Sequence, residues 1–159
     1  MTSTTKRVWR FAVLLTAIAM MAACRTVPPL PPANFAEPGW TVRQGQAIWR
    51  TGTDAPELAG EVLVATHPDG RSMVQFTKTF LPFVIALRTT NSWQVDFVGK
   101  NRTYSGRGEP PARVIWLHLA RSLHGTPPPT PFVFAETPEA GWTLVNRLTG
   151  EMISGYLAR

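Results

Sequence analysis

The sequence predicts an α+β domain, in which a twisted antiparallel sheet of about seven strands carries one helix against its concave face. Three observations predict it. Short stretches of alternating apolar and polar residues recur along the chain, as half-buried strands require. Turn signals separate them, so consecutive strands pair back as a meander. One stretch, Ala112 to Leu123, instead repeats its apolar residues at helical spacing.

The chain opens on a different pattern. Lys6, Arg7 and Arg10 give a positive start, and Phe11 to Ala23 is an uncharged apolar run of 13 residues ending in small residues. This is the three-part layout of an export signal. A membrane-spanning helix needs about 20 apolar residues, so residues 1–23 are expected to be cleaved rather than to span. Cys24 is the only cysteine, which rules out a disulfide within the chain. Met21-Ala22-Ala23-Cys24 resembles a bacterial lipobox, and Cys24 is the expected site of lipidation. A free thiol beside a conventional cleavage site, or a disulfide to another chain, are the alternatives. Two or three acyl chains would anchor the protein stably, because each buried CH₂ contributes about 0.8 kcal/mol.

Residues 24–39 follow as a Pro-rich tether, with five prolines from Pro28 to Pro38. Such a segment is extended and semi-rigid. The folded domain is expected over residues 40–159. Within it, Trp40 to Arg50 alternates but breaks near Gly45, which suggests a bulge. Leu58 to His67 is a second strand, and His67-Pro68-Asp69-Gly70 turns it into a third over Arg71 to Lys78. Thr79-Phe80-Leu81-Pro82-Phe83 reads as an apolar connection, since its proline argues against a central strand. Val84 to Thr89 continues as a strand, Asn91-Ser92 turns, and Trp93 to Phe97 alternates, with Asn101 to Ser105 as an extension beyond Gly99.

Pro110 and Pro111 sit where a helix can begin, and Gly125 where it can stop. Thr126 to Pro131 is a rigid loop. Gly141 to Asn146 and Glu151 to Leu157 are the closing strands, joined by Leu148-Thr149-Gly150.

Chemistry is sparse. His118 and His124 are six apart, not the three or four that would bring them to one helix face, and His67 sits in a turn. No second cysteine or His–carboxylate spacing offers a metal site. The acids are scattered singly, Gly-X-Ser-X-Gly is absent, and Ser105-Gly106-Arg107-Gly108 lacks the Lys-Ser/Thr of a phosphate loop. A catalytic, cofactor or metal role is therefore not expected. The formal charge is +6 over the full chain, and removal of Lys6, Arg7 and Arg10 leaves 13 basic and 10 acidic residues. That small, scattered excess argues against nucleic acid and fits a modest attraction to an anionic membrane.

Large apolar residues stand out instead. Trp40, Trp49, Trp93, Trp116 and Trp142 remain after the signal, with Phe76, Phe80, Phe83 and Phe97. Most should pack the core. A space between sheet and helix could also stay open as an apolar pocket, whose expected lining is Trp93, Val95, Phe97, Ile115, Trp116 and Leu119. Phe80, Leu81 and Phe83 are expected on a loop that projects apolar groups for membrane or partner contact.

Signal, lipidated cysteine, Pro-rich tether, antiparallel sheet, helix and closing strands together resemble the outer-membrane lipoprotein receptors of the LolB type, and the related carrier LolA. The resemblance lies in strand order and loop character over Trp40 to the end. It implies a half-barrel with a helical lid over a cavity for lipoprotein acyl chains. It also implies an apolar projecting loop, here at Leu81 between Phe80 and Phe83, that helps deliver lipoprotein to the membrane. Arg25, where a retention signal would place Asp, implies the periplasmic side of the outer membrane. On this basis the chain is expected to bind or transfer acyl chains or lipoproteins there, without enzymatic activity. The alternative is an envelope interaction protein with a packed core and no ligand cavity.

Overall fold

A computed structural model describes residues 28–138 and 141–158. The expected signal over residues 1–23, the expected lipidation site Cys24, and Arg25 fall outside the described residues. The chain forms one antiparallel sheet of nine strands, not about seven, with a single α-helix. The strands are β1 (Thr41–Arg50), β2 (Glu57–Thr66), β3 (Ser72–Lys78), β4 (Leu81–Arg88), β5 (Ser92–Phe97) and β6 (Arg102–Arg107), then helix α1 (Trp116–Leu123), then β7 (Phe132–Glu136), β8 (Gly141–Asn146) and β9 (Met152–Leu157). Their order across the sheet is β6-β5-β4-β3-β2-β1-β9-β8-β7. The sheet is open, with β6 and β7 as its edges. Among the described residues no helix is long and apolar enough to cross a membrane.

One face carries the core. Trp49 on β1, Val62 on β2, Phe76 on β3, Val84 on β4, Val95 on β5, Leu144 on β8 and Ile153 on β9 all point to it, and α1 lies across β2 to β5. The helix starts later than the proline pair suggested. The Val114 amide donates to the Pro111 carbonyl at 3.2 Å, and the chain winds through isolated turns before the regular ladder begins at Trp116. Its end is as expected. Gly125 takes φ +80°, and the Thr126 amide donates to the Arg121 carbonyl at 3.0 Å, closing a Schellman-type turn.

Several local expectations change. Gly45 makes no bulge: β1 keeps an unbroken register with β2 and, over its second half, with β9. Its glycine answers a close approach, since a Cβ there would collide with the Tyr156 carbonyl and reach Leu157 Cα at 2.8 Å. The irregularity lies instead between Phe76 and Thr77. Pro82 is inside β4 opposite that break, which is how a proline enters a central strand. Only Thr79 and Phe80 make the turn. Residues 102–107 are not an extension of β5 but a separate edge strand, reached through a 3-10 turn over Val98–Lys100 and Asn101 in left-handed conformation. β7 is a further strand in what looked like loop.

The Pro-rich segment does not stand clear of the domain from its first described residues onward. On the outer face, Leu30, Ala33 and Trp40 pack with Leu63 and Ile85 against Ala65, Met73 and Leu87. The Leu30 amide donates to Gln94 Oε1 at 2.8 Å, and Arg71 forks onto the Glu37 carboxylate at 2.6 and 2.8 Å. Arg71 also donates to Asp69 at 2.7 Å and lies 5.3 Å from the Trp40 ring centre. The Arg71 backbone amide, with His67 and the Arg71 side chain, holds the Asp69 carboxyl down to about 2. Exposed ion pairs contribute little to global stability, about 0–1 kcal/mol, but this one fastens a strap. Arg71→Ala should leave the melting temperature nearly unchanged while amide exchange over residues 30–40 accelerates at least several-fold. Unchanged exchange there would mean that Leu30, Ala33 and Trp40 hold the strap alone.

Candidate functional site

The six residues expected to line a cavity divide into two groups. Val95 and Leu119 are wholly buried in continuous core, where the sheet and α1 are packed solid. Trp93 and Phe97 are half-buried. They face flanks of Ile115 and Trp116 across a cleft of about 350 Å³ between the β5–β6 edge of the sheet and the approach to α1. Val114 and Tyr104 complete its apolar walls, and Glu151 and Arg113 supply charge.

The walls are set by an aromatic cluster. Trp49 meets Trp116 edge-on at 5.3 Å, stacks with Phe97 at 6.3 Å, and stands 6.1 Å from Phe83. Phe97 in turn meets Tyr104 at 6.2 Å. Such pairs each contribute about 0.5–1.5 kcal/mol beyond burial, so the cleft is a preformed surface. Trp49 Nε1 donates to Glu151 Oε1 at 3.0 Å. Nothing in the spacing marks Glu151, a single acid beside a turn, or shows that Trp49 reaches across 102 residues to it.

Burial raises the Glu151 pKa, and the Trp49 hydrogen bond only partly opposes this. A carboxyl with a raised folded pKa favours the fold below its ordinary value and loses that contribution as pH rises. Glu151→Gln keeps the acceptor for Trp49 and removes the charge. It should therefore be more stable than the native chain at pH 7, with the gap closing as pH falls through the raised folded pKa toward 4.5 and gone below that, read from denaturation midpoints across pH. An equal gap at both ends would remove ionisation as the cause.

The three histidines do not converge. His67 accepts or donates within the outer-face strap, 3.2 Å from the Pro38 carbonyl oxygen and 2.8 Å from Asp69. His124 Nε2 lies 2.9 Å from Thr66 Oγ1. His118 is buried, 3.2 Å from the Pro111 carbonyl, and burial lowers its pKa. Among the described residues no group of His, Cys, Asp and Glu is arranged to hold a metal ion.

The apolar connection is a two-residue hairpin tip. Lys78 pairs with Leu81, and between them Thr79 and Phe80 take φ +53° and +68°. Both values positive is what a tight hairpin demands, normally met by Asn-Gly. A β-branched residue and a bulky one in this region cost about 1–3 kcal/mol each. Nothing in the domain rewards that cost: Phe80 is 96% exposed and Leu81 72%. Phe83 differs from the expectation. It turns inward to Trp49 and rests where a Cβ on Gly99 would be. The projecting group is thus Phe80 with Leu81.

No family model, no curated protein and no solved structure matches this chain.

Proposed function

We propose that the chain is a non-enzymatic, lipid-anchored protein of the bacterial envelope. It would bind or transfer an acyl chain, free or on a lipoprotein, at the periplasmic side of the outer membrane. Cys24 would carry the lipid. The sheet would act as a half-barrel, as the resemblance to the LolB type implies.

The hairpin tip carries this reading. Phe80 is held out by a left-handed turn that its residue type and that of Thr79 disfavour, with Leu81 exposed beside it, and immersion in hydrocarbon would return about 1.5–3 kcal/mol for each of the two apolar side chains. The cleft supports it. Its volume of about 350 Å³ falls in the range of small-molecule sites, and its walls are aromatic and aliphatic. Phe97 and Glu151 sit at the same end of the strands as the tip, so an acyl chain leaving a bilayer there would meet the cleft. A cleft of about 310 Å³ beside His67, Arg71, Arg121 and His124 lies toward the opposite end, away from the tip.

The solid packing around Val95 and Leu119 favours a second reading, an envelope interaction protein whose core holds no ligand. Titration with a fluorescent fatty acid separates the two. Acyl binding predicts saturable binding that Val114→Glu weakens at least tenfold without unfolding the domain. No binding, or binding that Val114→Glu leaves intact, would favour the second reading.

A further inference from the structure

We infer that the whole end of the sheet bearing the hairpin tip is a docking rim for an anionic phospholipid bilayer, with Leu148 as a second point of insertion. The inference rests on the membrane-contact reading of Phe80 and Leu81 and extends it to a separate loop and to the headgroups.

Among the described residues, the four large apolar side chains most open to solvent are Phe80 at 96%, Leu148 at 82%, Leu81 at 72% and Val98 at 49%. They come from three connections far apart in sequence, yet the topology puts all of them at one end. Lys78↔Leu81 closes β3–β4, Phe97↔Arg102 closes β5–β6 and Val145↔Met152 closes β8–β9. In the antiparallel order these closures fall on the same side. The connections His67–Arg71 and Thr89–Asn91 at the other side present no such residue. The β3–β4 and β8–β9 closures stand four strand spacings apart, about 19 Å along the sheet at roughly 4.8 Å each. Two apolar points so separated, with Val98 to one side, would fix an orientation on a surface as a single point would not.

Leu148 is held out deliberately. Asn146 is buried, and its Oδ1 accepts the amides of Leu148 at 3.0 Å and Thr149 at 3.3 Å, while Gly150 takes φ +71°. The loop is therefore braced and not a loose end.

Charge identifies the partner. Lys78, Lys100, Arg102 and Arg147 stand beside these apolar groups, all exposed, and none forms an ion pair among the described residues. Away from the rim, Arg71, Arg88 and Arg121 have carboxylate partners, while Arg43, Arg107 and Arg113 form no ion pair among the described residues but have no exposed apolar cluster like that of the rim beside them. Residues 77–84 and 97–105 contain no acid. At this end Glu57 is matched to Arg50, Glu151 is half-buried and accepts from Trp49 Nε1, and Asp54 lies in the β1–β2 connection. Unpaired cations around exposed apolar groups fit headgroup phosphates at a hydrocarbon surface.

The test uses the full chain with Cys24→Ser and one environment-sensitive fluorophore on Leu148→Cys, Phe80→Cys or, as control, Thr90→Cys. Local probes read insertion however the N-terminus is held. With phosphatidylcholine vesicles containing 30% phosphatidylglycerol at low salt, the probes at 148 and 80 should shift to the blue and be quenched by brominated lipid. The probe at 90 should stay in water. Replacing Lys78, Lys100 and Arg102 together by Gln should weaken this about 100-fold, since each cation near such a surface contributes roughly fivefold. Insertion at 80 without insertion at 148, or equal response to pure phosphatidylcholine, would overturn the rim and leave the tip reading standing. Both probes remaining in water would overturn both.

Discussion

Trp116→Ala should cost about 3–5 kcal/mol of unfolding free energy, as buried Trp truncations do, and leave little of the 5–15 kcal/mol that a domain this size commonly has. The residue is 1% exposed. It touches Trp49 at 5.3 Å and Phe76 at 5.2 Å. It is also the first residue of α1, so the cavity would open where helix, sheet and cleft meet. Urea unfolding followed by circular dichroism should show the midpoint falling to a fraction of the native value, or no cooperative transition at all. A loss below 1 kcal/mol would mean that the helix does not hold the sheet face together. Trp40→Ala serves as contrast. Trp40 is half-buried on the outer face, and its loss should be clearly smaller.

Gly45→Ala should be the next most damaging change, at about 3 kcal/mol or more. The added methyl meets the Tyr156 carbonyl and Leu157 Cα, both backbone of the paired strand. Overpacking ordinarily costs about 1–3 kcal/mol when side chains can yield. Here the ladder itself must open. Among the described residues β1–β9 is the only strand pairing that joins β1–β6 to β7–β9, so the change should release the closing strands as a unit. Hydrogen exchange should then rise in β8 and β9 while β3 to β5 stay protected. Uniform loss of protection, or none, would show that the seam is not the weak joint. Gly108→Ala, at an open position with φ +74°, would test backbone strain without collision.

Much of the architecture could be read from local spacing because half-buried strands advertise themselves by alternation. β2, β3, β5, β8 and β9 show this, and Gly125 marked the helix end. β6 was legible only as an extension of β5, because Arg102–Arg107 is an edge strand with mostly exposed residues and has no apolar face to mark it as a strand of its own. β7 is five residues with apolar groups in succession, set between Pro131 and Thr137-Pro138, and periodicity does not separate such a run from loop. Pro82 argued against a strand because the bulge that admits it, with Phe83 left over between the pairs Phe76↔Val84 and Thr77↔Pro82, belongs to the pairing and not to the spacing.

The strap and the site share a different obstacle. Leu30 finds Gln94, and Trp49 finds Glu151, through tertiary packing that no spacing rule encodes. The apolar character of Phe80-Leu81 was legible. That Phe83 would turn inward, and that Leu148 would join the same end from another loop, followed only from the register.

The account depends first on an anchored chain beside a bilayer. Intact mass analysis of the protein extracted from envelope membranes tests this most directly. The expected species begins at Cys24, lacks residues 1–23, and carries the added mass of two or three acyl chains. An unacylated chain beginning at Met1, recovered from the cytosol, would contradict it.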